Sequence, residues 1–207
     1  MTGCFSCIFV LAFVIFAPLV SCEEKVSLAV YYETHCPDSR AFILDQLFPV
    51  YSNLSDILDV QLYPYGKAFY ERKPNGDIQF TCQHGRRECK GNTIQACVLD
   101  KYKDLRTQLT FVECMEQSFS PERDEVLEQC GSKSSLDVQY IKDCSTGSKG
   151  TELLLKVGQA TEQLSPKLNF VPWINVNGVH TKRNQEDALN NLKKVVCSNY
   201  KGTHEKC

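Results

Sequence analysis

The chain has 207 residues, 43% of them hydrophobic and 23% charged, a balance that excludes an intrinsically disordered protein and suits one domain with its own core. Its 23 basic and 25 acidic residues give a formal net charge of −2. With no long basic run, that charge excludes a nucleic-acid or anionic-membrane binder held by bulk electrostatics.

The first element is an apolar run from Ile8 to Val20, closed by Ser21-Cys22 and the polar Glu23-Glu24-Lys25. The run is too short to span a bilayer comfortably and predicts a signal peptide over residues 1–22, with a single domain at 23–207 entering the secretory pathway. No later stretch is apolar for long enough to cross a membrane. Lys25 to Tyr32 (KVSLAVYY) alternates and is rich in Val, Leu and Tyr, which predicts a buried strand. His35 to Ser39 (HCPDS) forms the turn out of it. From Ser39 to Leu58, apolar residues recur every three or four positions, the period of a helix with one buried face, and Pro49 is expected to kink or divide it. Asp59 to Gly66 (DVQLYPYG) returns as a second strand, so the order strand, helix, strand predicts a parallel βαβ pair.

Lys73 to Asp77 (KPNGD) carries an Asn-Gly turn signal. Residues from Cys89 to Gln163 read as a helical insertion of several short helices, with breaks near Ser120-Pro121, Gly131 to Ser135 and Ser145 to Gly150. Phe170 to Arg183 (FVPWINVNGVHTKR) then predicts a β-hairpin with a type I′ turn at Asn177-Gly178. A last amphipathic helix, Gln185 to Val196, leads to Cys197 and the tail.

Twelve cysteines indicate disulfides formed in an oxidising compartment. Cleavage after Cys22 removes Cys4, Cys7 and Cys22 and leaves an odd nine, so at least one is unpaired or intermolecular; cleavage after Ser21 would retain Cys22. Cys36 stands out. A cysteine just after a parallel strand and just before a helix meets first-turn amides and a helix dipole that stabilise a thiolate. On position alone it is either a reactive thiol or half of a structural bond. Pro172 is a candidate cis-proline facing Cys36, since it leads the predicted hairpin, although an ordinary proline at the start of an edge strand is the alternative. The joint pattern of βα cysteine, helical insertion and Pro-led hairpin favours a thioredoxin-like α/β fold.

Cys82, His84, Cys89 and Cys97 could supply four metal ligands, but their spacing lacks the CxxC pairs of zinc fingers and ribbons, and disulfides are the expected use. Neither metal nor cofactor is expected. His84 reads as a hydrogen-bonded histidine fixing the turn beside Gly85.

The stretch CQHGRRECKGNTIQAC resembles the signature of the gamma-interferon-inducible lysosomal thiol reductase (GILT) family at Cys82, Gln83, His84, Gly85, Glu88, Cys89, Asn92 and Cys97. Further similar pieces are Tyr31 to Glu33, Arg40 to Phe42, Pro64 to Gly66, Ala96 to Asp100, Cys114 to Glu116 and Val171 to Gly178. The resemblance implies a thioredoxin-like core, residues 25–80 and 164–200, around a disulfide-bonded helical insertion at about 81–163. It also implies a CxxC site that reduces disulfides of substrate proteins at acid pH, in lysosomes or after secretion. Cys36 matches the nucleophile; Ser39 stands where the family has its second cysteine.

That serine cannot resolve a mixed disulfide. The leading expectation is therefore a secreted protein that lacks dithiol reductase activity and binds a protein or cell-surface partner, with innate immunity as a family-level suggestion and lysosomal residence as the alternative location. The alternative function is a monothiol oxidoreductase or isomerase that works on disulfide-containing proteins through Cys36 and an external thiol. A Cys36-linked dimer instead of a monomer is a third possibility. Setting Cys36 aside leaves eight cysteines for four bonds. Proximity pairs Cys197 with Cys207 and Cys114 with Cys130, and Cys82, Cys89, Cys97 and Cys144 share the other two. Asn53-Leu54-Ser55 is the only N-glycosylation sequon.

Overall fold

The computed structural model of the chain describes residues 24–207, so the predicted signal peptide lies outside the described residues. Strand β1 (Val26–Tyr32) is followed by helix α1 (Pro37–Phe42), a π-helical turn (Ile43–Leu47) and helix α2 (Phe48–Leu54). Pro37 opens α1, where a missing N–H costs nothing because the first-turn donors have no intrahelical partner. In the π turn the Phe48 N–H reaches the Ile43 carbonyl, five residues back. This wider turn admits Pro49, whose ring would otherwise press on the carbonyl four residues earlier. The helix is thus divided at the proline, as expected, by a change of helical pitch, with Pro49 in the first turn of α2.

Strand β2 (Leu58–Pro64) pairs with β1 in parallel, from Val26 opposite Leu58 to Tyr32 opposite Pro64. Beyond it, β3 (Phe69–Arg72) and β4 (Ile78–Thr81) form an antiparallel hairpin across the Asn-Gly turn, as a two-stranded sheet of their own. Five helices follow: α3 (Arg86–Lys101), α4 (Leu105–Glu116), α5 (Asp124–Lys133), α6 (Val138–Thr146) and α7 (Ser148–Glu162). Asp104 and Asp137 cap α4 and α6 by accepting from Thr107 and Tyr140 amides, which explains two of the breaks between helices.

Strand β5 (Trp173–Val176) returns to β1 antiparallel, giving the sheet order β2-β1-β5. Asn177 and Gly178 both have positive φ, 50° and 78°, the geometry of a type I′ turn. The hairpin predicted there is cut short. Val179 makes a single bridge back to Val176, after which Thr181 caps helix α8 (Lys182–Asn199) by accepting from the Asn184 amide. A second strand would compete with that cap for the same residues. α8 is interrupted at Asn191, where φ and ψ leave the helical range.

One face of the sheet carries Leu28, Val30, Tyr32, Leu58, Val60, Leu62, Ile174 and Val176 into a core completed by Phe42, Ile43, Leu47 and Leu54 from the first helical stretch and Ala188, Leu192 and Val196 from α8. On the other face Asp59 and Gln61 are exposed, the two-residue alternation of a half-buried sheet. The insertion has its own core of Ile94, Val98, Phe111, Met115, Leu127 and Ile141. Disulfides tie it together: Cys97–Cys144 joins α3 to α6, Cys114–Cys130 joins α4 to α5, and Cys82–Cys89 closes the turn from β4 into α3. Cys197–Cys207 fastens the tail to α8.

Candidate functional site

The end of β1 delivers Glu33, Thr34, His35 and Cys36 to the start of α1, with Cys36 at the N-cap. Its N–H donates to the Glu33 carbonyl (3.3 Å) and its own carbonyl accepts from the Arg40 amide (3.0 Å). Cys36 is 7% exposed and is the free cysteine among the described residues. Its Sγ lies 4.0 Å from the Val171 carbonyl oxygen, and the Val171–Pro172 bond is cis. The proline loop is held from behind by Gln185 of α8, which is 4% exposed. Gln185 Nε2 donates to the Pro172 carbonyl (2.9 Å), and its Oε1 accepts from the Ile174 amide (2.9 Å). Ser39, fully buried, sits one turn after Cys36 and accepts from the Glu33 amide at 3.4 Å.

Two depressions lie near the turn, one of them opening on the thiol. A small cavity of about 80 Å³ is lined by Thr34, His35, Cys36, Arg40, Ser118 and Phe119. Phe119 is 86% exposed, with the Arg40 guanidinium 4.1 Å from its ring centroid. His35 Nε2 meets Glu122 Oε2 at 2.9 Å, and Arg87 Nε stands 3.8 Å from the same carboxylate. Along the proline loop a groove of about 360 Å³ is lined by Asp38, Phe42, Asp45, Phe170, Pro172 and Leu189.

The signature stretch packs directly behind this turn. Asn92 Oδ1 accepts from the Thr34 amide (3.1 Å), and Thr34 Oγ1 donates to the Glu88 carbonyl (3.3 Å). Gly91 allows that approach: a Cβ there would stand 2.5 Å from Thr34 Oγ1. His84 Nδ1 pairs with Glu88 Oε2 and lies 3.5 Å from Glu33 Oε2. Glu33 and Glu88 are both fully buried. Burial pushes the Glu33 carboxyl up to about 7, against the pull of its bond from the Lys67 amide and with the charge of Glu88 adding to the rise. Gly66, at φ +58°, is required beside it, since a Cβ would come within 2.3 Å of Glu33 Cγ. One helical turn further along α3, Gln95 accepts from the Tyr32 hydroxyl and donates to Glu116 Oε1 (2.8 Å). Complete burial lifts the Glu116 carboxyl to about 8.

Of the residues singled out from sequence, the structure brings Cys36, Ser39 and Pro172 to one place. Asn53 is exposed on α2, remote in the chain from that turn, with Nδ2 donating to the Pro49 carbonyl (2.9 Å). The cysteines of the discounted metal set are consumed by disulfides, Cys82 with Cys89 and Cys97 with Cys144. His84 does more than fix its own turn, because it faces Glu33. Gln185, Glu122 and Phe119 carry no motif that sequence reasoning could use. Glu33 offers one signal, a carboxylate at the end of a buried strand three residues before the cysteine.

A thiol at the N-cap after the first strand, facing the proline loop that leads an antiparallel strand, defines a thioredoxin-like fold. Solved structures agree on the fold: MdbA, a thiol-disulfide oxidoreductase from Actinomyces oris, superposes with a TM-score of 0.59 at 14% identity over 87% of this chain and 84% of its own. Chlamydia trachomatis DsbA does so with 0.56 at 15% identity over 83% and 88%. The sequence model of the family "Gamma interferon inducible lysosomal thiol reductase (GILT)" matches residues 27–134. Proteins named gamma-interferon-inducible lysosomal thiol reductase from Carassius auratus and Mus musculus are each 37% identical, over 86% and 88% of this chain and 70% and 71% of theirs. The chain belongs to the GILT family.

Proposed function

We propose that the protein is a secreted GILT-family member that engages protein or cell-surface partners without dithiol reductase turnover. The observation that carries this reading is Ser39: the position one turn after the thiol is a fully buried hydroxyl committed to the Glu33 amide. A Cys36 thiolate attacking a partner disulfide would form one new S–S bond and release the partner's other sulfur as a thiolate. With a hydroxyl at position 39, nothing inside the site reverses that bond, so the adduct persists and the chemistry favours capture over turnover. No helix among the described residues is long and apolar enough to cross a membrane, and the exposed Asn53 suits a glycan added in the secretory pathway.

A second reading is supported by Cys36 itself, which is free and faces the cis-proline loop. An external thiol could attack the mixed disulfide, returning Cys36 as thiolate and leaving the partner sulfur bonded to the external one; this is monothiol exchange, with no net electrons supplied by the protein. Insulin reduction with glutathione as the external thiol, at acid and neutral pH, separates the two. The binding reading expects no turnover above the Cys36→Ala control; sustained turnover abolished by Cys36→Ala overturns it in favour of exchange.

A further inference from the structure

Two buried carboxylates beside one imidazole are an expensive arrangement unless something positive joins them. Glu33 and Glu88 are both fully buried, and they reach His84 from different parts of the chain: the end of β1 and the first turn of α3. Glu33 Oε1 is satisfied by the Lys67 amide at 2.6 Å, but Oε2 has no hydrogen-bond partner. That orphaned oxygen points into the cluster, 3.5 Å from His84 Nδ1. One ligand atom from each of the three residues lies within 4.8 Å of the others.

We propose that Glu33 Oε2, His84 Nδ1 and Glu88 Oε2 form a binding site for a divalent transition-metal ion of the zinc class, which pins the loop carrying Cys36. Bonds of ~2.0–2.1 Å in a tetrahedral site put ligand atoms ~3.3 Å apart, close to the separation of Glu33 from His84; Glu88 Oε2, in direct contact with His84 Nδ1, moves back to admit the ion. The donor set selects the ion. One nitrogen and two carboxylates are too few oxygens for calcium, and the mixture of imidazole and carboxylate is a familiar one for zinc. His84 is the exposed member of the three, so solvent reaches the site and water would supply the fourth ligand of a tetrahedral ion. The Cys82–Cys89 bond brackets His84 and Glu88, so the disulfide fixes two ligands relative to each other. The third, Glu33, bonds through its backbone to Cys36 N–H and Ser39 Oγ. An ion held here therefore fixes the turn on which the thiol sits.

Equilibrium dialysis of the chelator-stripped protein against zinc chloride, read by elemental analysis, is expected to give one equivalent bound. X-ray absorption at the zinc edge is expected to show a first shell of nitrogen and oxygen alone. Glu33→Gln and Glu88→Gln should each weaken binding on the order of 100-fold, at or beyond what loss of an outer-shell partner costs. Absence of stoichiometric binding, unchanged binding in both variants, or sulfur in the first shell overturns the assignment. The absorption measurement uses the unaltered chain, so it decides the matter even if a variant fails to fold.

Discussion

The turn at Cys36 and the turn at Cys82–Cys89 lie back to back across Glu33, and they use cysteine in opposite ways. In the first, one thiol is left free and its neighbour a turn later is a hydroxyl. In the second, the thiols are closed into a disulfide, and the histidine, carboxylate and asparagine beside them all serve to hold the first turn in place. Support and chemistry are thus separable. On the proposed reading, a site keeps its whole positioning apparatus while the group that completes its reaction is replaced.

The largest effect that tests this separation is expected in the insertion. Cys97–Cys144 joins residues 47 apart, and the loop-closure entropy it removes from the unfolded chain is worth ~4 kcal/mol. Denaturant unfolding of the Cys97→Ala/Cys144→Ala pair should show a loss of that order, whereas Cys36→Ala should change stability by ~1 kcal/mol or less. Equal losses in the two variants would break the comparison, because Cys36 would then be a structural residue.

A smaller effect distinguishes the interior that both turns share. Glu116 titrates near 8 in the folded protein, above the ~4.3 of a free glutamate. The folded state therefore binds a proton that the unfolded chain releases. The associated stability is present in full below about pH 4 and is lost as pH rises through about 8, at up to ~1.4 kcal/mol per pH unit. Glu116→Gln keeps the hydrogen bond from Gln95 but cannot ionise. Unfolding curves at pH 6 and pH 7 should show the variant gaining on the wild type by up to ~1.4 kcal/mol across that unit, with no gain near pH 4. A parallel pH dependence in both proteins would mean that Glu116 is already ionised in the fold.

The fold was legible where local pattern and tertiary need agree. The alternation of Lys25 to Tyr32, the three-and-four spacing after Ser39 and the Asn-Gly turn signals each report one buried face or one backbone conformation, and β1, the helix behind it and both turns stand where those patterns put them. Pro49 marks where the helix divides, but the means of division, a π turn, is a property of the backbone hydrogen bonds around it, with no side-chain signature. The missing second strand after Gly178 was a contest between a hairpin and a helix cap at Thr181, which local reading cannot weigh. At the site, the sequence marks positions in a motif but not their direction. Nothing in the signature says that His84 faces a glutamate 51 residues earlier, or that Gln185 holds the proline loop from α8. These are contacts between distant segments, and periodicity is silent about them.

The smallest expected change to the fold is also the sharpest test of the chemistry. Ser39→Cys replaces one buried hydrogen-bonding atom with a somewhat larger sulfur; the weaker acceptor it offers the Glu33 amide costs ~1 kcal/mol. Positions 36 and 39 are three apart at a helix start, so their side chains share a face. A thiol there can attack the Cys36 mixed disulfide, release the reduced partner and leave an intramolecular disulfide, the electrons for the next cycle coming from an external thiol. The expected outcome is insulin reduction by Ser39→Cys that is absent from the wild type and from Cys36→Ala/Ser39→Cys. If the variant folds, keeps its four structural disulfides and still reduces nothing, then the support provided by Asn92, Thr34 and the Pro172 loop is not sufficient for turnover, and the site differs from a working one by more than a single sulfur.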